Sequence, residues 1–120
     1  EVAGGDAGEV VAAIGPGIGV DKFEVGDEVA ERFSEAGLGA AVHAGRAGWG
    51  ERPHVDLAGA VRARLHEAGV GDEAIDAAEP GALGACTYEQ AEWFFSYRRD
   101  VTHGGAARTG HMAAVIGAGG

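Results

Sequence analysis

Two adjacent guanidiniums, Arg98 and Arg99, close a run in which Trp93, Phe94, Phe95 and Tyr97 put four rings into five positions. Guanidinium forks match carboxylates and phosphates in shape and charge. The rings favour burial, each removing about 150–250 Å² from water when packed, and charges do not follow rings into a core unpaired. The chain is therefore expected to leave the core at Tyr97 and present both arginines at a rim or cleft. Two outcomes stay open there: a clamp on Asp100 or a neighbouring acid, and a contact to an anionic ligand.

Other residues able to do chemistry are scattered. Cys86 is the single cysteine, so no internal disulfide forms, and it reads as a buried small hydrophobe or as a nucleophile awaiting a base. His43 and His54 lie eleven residues apart with no Cys or acid at a ligand spacing, which suits surface or capping histidines better than a metal site. His103 and His111 follow the arginines. Gly15-Pro16-Gly17-Ile18-Gly19 resembles a dinucleotide loop at first sight, but its third glycine comes one position early and no helix start follows. It reads instead as a strand-ending turn.

Charge narrows the partners. The chain of 120 residues carries a formal −10, which argues against nucleic acid and anionic membranes. Residues 98–120 hold three arginines and one acid, so +2, leaving −12 on residues 1–97. The last stretch is thus the one able to attract an anion. No apolar run approaches the ~18 residues of a membrane helix, and a cytoplasmic location is expected. The chain opens at Glu1 rather than at a methionine, which reads as a fragment or a processed product.

The elements that must position these residues are short. Residues 9–14, 94–98 and 112–116 read as strands, with a further short one at 40–43. Residues 25–36 read as a helix with Val25, Val29 and Phe33 on one face, a Glu28–Arg32 pair on the other, and Gly37 as its stop. Asp56 caps a clearer helix through Ala68, with Leu57, Val61, Leu65 and Ala68 as its apolar stripe and Gly69 as its end. A helical turn is expected at 72–75, a capping box at Thr87-Tyr88-Glu89-Gln90 opening a short helix, and a glycine loop from Val101 to Gly110. Residues 1–8 and 117–120 read as flexible ends. The fold class is α/β, a mixed sheet of short strands with covering helices.

Several separated stretches, in order, resemble one family. They are Ala12-Ala13-Ile14-Gly15-Pro16-Gly17-Ile18-Gly19 with Phe23 to Val29, then His54-Val55-Asp56-Leu57, Cys86-Thr87, Phe94 to Asp100, and Thr109-Gly110-His111-Met112-Ala113-Ala114. Together they are similar to the YfiH-like polyphenol oxidase or laccase-domain family, also described as purine nucleoside phosphorylases. The resemblance covers the C-terminal part of that domain, making residues 1–120 an incomplete half. Ala41 to Trp49 echoes an upstream HAGWRG motif of the family, displaced and on the wrong side of the glycine turn.

The resemblance implies a metal-dependent enzyme that splits adenosine, inosine or methylthioadenosine with phosphate, with adenosine deamination as a further activity. Rival implications are a copper-dependent phenol oxidase, an amidase editing peptidoglycan precursors, and a non-catalytic fragment. Zinc or copper is expected in the full-length protein, with its ligands outside this chain, and no catalytic residue is assigned here. Arg98, Arg99, Tyr97 and His111 are the expected contacts to a nucleoside and phosphate. Sheet edges left open by an incomplete domain make self-association an expectation.

Overall fold

A computed structural model describes residues 6–45, 50–77 and 86–115. The expected flexible ends fall mostly outside these residues, as do the Arg46-to-Trp49 part of the HAGWRG echo and the break at Pro80-Gly81. Asp6 accepts from Gly8 N–H at 3.1 Å and opens a capped 3₁₀ turn, Ala7–Glu9, so the start of the described chain is ordered by its own cap.

Strand β1 is Ala12–Ile14. Helix α1, Asp27–Glu35, follows, then a 3₁₀ turn Gly39–Ala41 leading into β2, Val42–His43. Strand β3, His54–Val55, runs directly into helix α2, Leu57–Glu67. A 3₁₀ turn Asp72–Ala74 delivers β4, Ile75–Ala77. β1 and β4 pair in parallel, Ala12 opposite Ile75 and Ile14 opposite Ala77, and both helices lie in the crossover between them. β2 and β3 pair antiparallel, Val42 opposite Val55 and His43 opposite His54. The backbone at 23–25 borders β3: Val25 N–H donates to Pro53 O and Val55 N–H to Phe23 O.

Both helices stop where a glycine can turn left-handed. Gly37 has φ +80° and Gly69 φ +99°. In α1, Leu38 N–H returns to Phe33 O and Gly37 N–H to Ser34 O; in α2, Val70 N–H returns to Leu65 O and Gly69 N–H to His66 O. Each is a Schellman end that satisfies the last carbonyls of its helix. Asp56 caps α2 as its sequence predicts, accepting from Gly59 N–H at 3.0 Å.

The core is built of small side chains: Val25, Ala41, Val55, Ala60, Val70, Ile75 and Cys86. α2 turns Ala60 inward and leaves Val61 nearly half exposed, so its expected stripe is rotated. Arg62 and Arg64 explain the rotation, because Arg62 reaches Asp72 and Arg64 reaches Ala36 O and Glu67. The Glu28–Arg32 pair does not form among the described residues; Glu28 folds back over Gly26 instead.

The α/β class holds, while its strand list changes. Among the described residues, two two-stranded sheets stand in place of the one mixed sheet expected. Residues 94–98 are not a strand, because Phe94 O accepts from the Arg99 side chain instead of joining a ladder. Residues 112–115 are exposed and unpaired among the described residues, so the expected closing strand is absent there. The expected helix at 87–90 is a chain of turns, and the glycine loop expected from Val101 begins later, at Gly104, because residues 101–103 complete a π-helical turn, Arg98–His103. The rings are not core residues either. Trp93 is 77 % exposed, Tyr97 66 % and Phe95 49 %.

Candidate functional site

The glycine turn after β1 lies alongside Cys86 and Thr87. Gly17 and Cys86 form a parallel bridge, Thr87 N–H donates to Gly17 O at 3.0 Å, and Gly19 N–H points at Cys86 Sγ at 3.2 Å. Two stretches about 70 residues apart are thereby locked together, and the thiol is 2 % exposed. Gly15 to Gly19 leaves the end of β1 as expected, but neither a left-handed φ nor a close approach calls for glycine at 15 or 17, where a Cβ would meet no atom within 4 Å; Cys86 sits as a buried small side chain.

Arg99 splices the next segments onto this pair. Its Nε donates to Asp100 Oδ1 at 2.7 Å and its Nη2 to Asp100 Oδ2 at 3.2 Å and Phe94 O at 3.0 Å. Its Nη1 donates to Thr87 O at 2.8 Å and Tyr88 O at 3.2 Å. Every N–H of the guanidinium is thus used on protein. Asp100 in turn accepts from the Thr109 hydroxyl. The Arg99 hydrogen bond, followed by that of Thr109, holds the Asp100 carboxyl below its ordinary value of 3.8.

Arg98 is placed differently. Its Nη1 donates to Glu24 O at 2.6 Å, and its guanidinium stands over the Phe23 ring at 5.3 Å. Among the described residues no other acceptor engages it. It lines a cleft of about 330 Å³ with Ile18, Phe23, Thr87, Phe95, Ser96 and Tyr97. Of the sequence-derived candidates, Arg98 and Tyr97 share this cleft, Arg99 lies behind it, and His111 is exposed beyond Gly110 and outside the lining. His103 pairs with Tyr88, whose hydroxyl lies 2.7 Å from Nδ1, and Lys22 Nζ stands 5.4 Å from the Tyr88 ring centre.

Sequence reasoning did not single out Ile18, Phe23, Thr87, Phe95 or Ser96. Their joint presence in the quoted family stretches was the available signal. Those stretches, distant in sequence, meet at one place. A family model described as multi-copper polyphenol oxidoreductase laccase matches residues 1–119.

The chain belongs to this laccase-like family.

Its relatives include a purine nucleoside phosphorylase of Deinococcus radiodurans, 48% identical over 106 residues, which covers 88% of this chain and 35% of that protein. Purine nucleoside phosphorylase YfiH of Escherichia coli is 39% identical over 107 residues, 89% of this chain and 38% of that protein. A purine nucleoside phosphorylase of Bacteroides thetaiotaomicron is 38% identical over 96 residues, 79% of this chain and 34% of that protein. The chain spans about a third of the length of the curated relatives it matches.

The laccase-like family description implies a metal. Among the described residues, no group of three or more His, Cys, Asp or Glu side chains is placed to hold one. His43 and His54 do come together across β2 and β3, but His54 Nδ1 is committed to Val20 O at 2.7 Å and His54 is buried. The described side chains therefore do not fit a metal seat, and no chemical step is assigned through one here. No helix among the described residues is long and apolar enough to cross a membrane.

Proposed function

We propose that this chain supplies the phosphate-binding wall of a purine nucleoside phosphorylase, with the metal of the family held by the remaining two thirds of the domain. The observation that carries the reading is the contrast between the paired arginines. Arg99 spends all its donors on protein, while Arg98 presents unengaged N–H groups to an open cleft. The names of the relatives supply the reaction class.

Phosphorolysis brings a phosphate oxygen against the anomeric carbon of the nucleoside. The C–O bond to phosphate forms as the glycosidic C–N bond breaks, and the base leaves with that electron pair and takes up a proton. The transition state has oxocarbenium character, so a cation that fixes the phosphate without reorganising lowers the barrier. Arg98 suits that task because Glu24 O and the Phe23 face already fix its plane. Arg99 acts through Arg98 by holding the turn on which it stands. Tyr97 lines the same cleft, whereas His111, the other contact the sequence suggests, lies outside the lining. Adenosine, inosine and methylthioadenosine are the proposed substrates, in the cytoplasm, with zinc or copper as the metal. Self-association through exposed sheet edges is part of the same proposal.

The test is an assay of the full-length protein with each nucleoside, with and without phosphate. Phosphate-dependent release of base and ribose-1-phosphate, with Arg98→Lys raising the phosphate KM about tenfold or more, is the expected result. Deamination without phosphorolysis, or oxygen-dependent turnover of a phenol with no base released, overturns it.

A further inference from the structure

One side of the cleft is left unexplained by an anion. Phe95 and Tyr97, both substantially exposed, line it together with Ile18 and Phe23. Exposed rings are costly in water unless a partner covers them.

The position of the Phe95 ring is fixed from outside the cleft. A Cβ built on Gly110 would come within 2.5 Å of Phe95 Cζ, 2.6 Å of Cε1 and 2.7 Å of Cε2. The ring therefore rests on bare backbone. That backbone is itself held, because Thr109 donates to Asp100 and Asp100 is gripped by Arg99. Gly110 does not have a left-handed φ, so the backbone alone would accept a larger residue here. A methyl here would push the ring tip aside.

The result is an open cleft lined by apolar side chains, by Arg98, and by the hydroxyl residues Thr87 and Ser96. Its volume of about 330 Å³ lies at the low end for ligand sites, roughly 300–1,000 Å³. An aromatic wall beside a phosphate-sized cation suits a flat heteroaromatic base, since every base offers a π-face to stack.

We infer that Phe95 and Tyr97 form the wall on which the purine base stacks, and that Gly110 is a positioning residue that seats Phe95 there. This inference rests on the nucleoside reading above. The base lies over the rings with its sugar directed towards Arg98, so nucleoside and phosphate affinity are carried by different side chains.

The experiment measures the KM for adenosine and for phosphate separately in the full-length protein and in its Tyr97→Ala, Phe95→Leu and Gly110→Ala variants, together with Tm. Tyr97→Ala and Phe95→Leu raise the adenosine KM about tenfold and leave the phosphate KM within about twofold. Gly110→Ala reproduces the Phe95→Leu effect, because the added methyl displaces the ring without removing it. Tyr97 is 66 % exposed, so its alanine variant keeps the fold and decides the matter if the other two fail to fold. An unchanged adenosine KM in Tyr97→Ala, or equal rises in both constants, overturns the inference. If Arg98→Lys shifts the phosphate KM while Tyr97→Ala leaves adenosine untouched, the stacking wall falls and the phosphorylase reading stands. If no phosphorolysis occurs at all, titration of adenine itself into the wild type and Tyr97→Ala still decides: weaker binding to the variant supports the wall, and equal binding ends it.

Discussion

Arg99 and Asp100 are sequence neighbours whose side chains fold onto each other as a two-point pair, Nε to Oδ1 at 2.7 Å and Nη2 to Oδ2 at 3.2 Å. Backbone neighbours rarely pair this way unless the chain bends sharply, and the π-helical turn Arg98–His103 supplies the bend. The pair leaves Nη1 and the second Nη2 hydrogen for three carbonyls from two other turns. One side chain thus ties residues 87–88, 94 and 100 together, and Asp100 extends the tie to Thr109.

Replacing that side chain separates its role from that of Arg98. A lysine at 99 is a point donor that cannot reach four residues at once. Arg99→Lys is expected to lower unfolding stability by at least about 2 kcal/mol, since buried carbonyls lose charged partners. Arg98→Lys gives up the bond to Glu24 O and is expected to cost under about 1 kcal/mol. Denaturant midpoints of the two variants test this, and equal losses would contradict the division of labour.

Acid should act on the same pair. The Asp100 carboxyl titrates below its unfolded value of 3.8, chiefly through Arg99 and then Thr109. A depressed carboxylate stabilises fully above the unfolded pKa, and that stability is lost as pH falls through the folded one. Asp100→Asn removes this dependence. Thermal melts between about pH 5 and pH 2 should therefore show a shallower decline below about pH 4 in Asp100→Asn than in the wild type, with Asp72, which Arg62 and His66 depress in the same direction, contributing to the remaining slope.

What the sequence discloses about this fold follows how local the cause is. Gly37 and Gly69 end their helices, and Asp56 caps α2, because capping is decided within a turn. The ring block misleads, because residue type alone cannot show where the Phe94 carbonyl finds its donor. That donor is Arg99, and its choice bends the chain and turns Trp93 and Tyr97 outward. The strand at 75–77 is hard to see for the opposite reason. Ile75, Asp76 and Ala77 carry little pattern, and their pairing with residues 12–14 is a contact over some 60 residues. Arg98 and Tyr97 are candidates from their types alone and line one cleft, whereas Phe23 and Ile18 enter that cleft through tertiary packing of the glycine turn against Thr87.

The two helix ends give a prediction with an internal control. Alanine at Gly69 must adopt φ near +99° and also approach the Ala7 Cβ at 3.2 Å, whereas alanine at Gly37 meets no atom within 4 Å. Both lose about 1–2 kcal/mol from the left-handed backbone, and Gly69→Ala loses more. Chemical denaturation that ranks them in the reverse order would place the strain elsewhere.

Cys86 offers the last check on how the site is built. Its thiol is 2 % exposed, faces Gly19 N–H, and sits beneath the turn that carries Ile18 into the cleft. A thiol reagent should therefore leave the native chain unlabelled and react with one equivalent after denaturation, since the chain has one cysteine. Cys86→Ser keeps the volume and an acceptor for Gly19, while Cys86→Ala leaves that buried N–H unpaired at a cost of about 1–3 kcal/mol. The phosphorolysis proposed above for the full-length protein should survive Cys86→Ser, because the thiol holds the turn and is not among the residues lining the cleft. Loss of all activity in a Cys86→Ser variant of wild-type stability would instead make the thiol a reacting group.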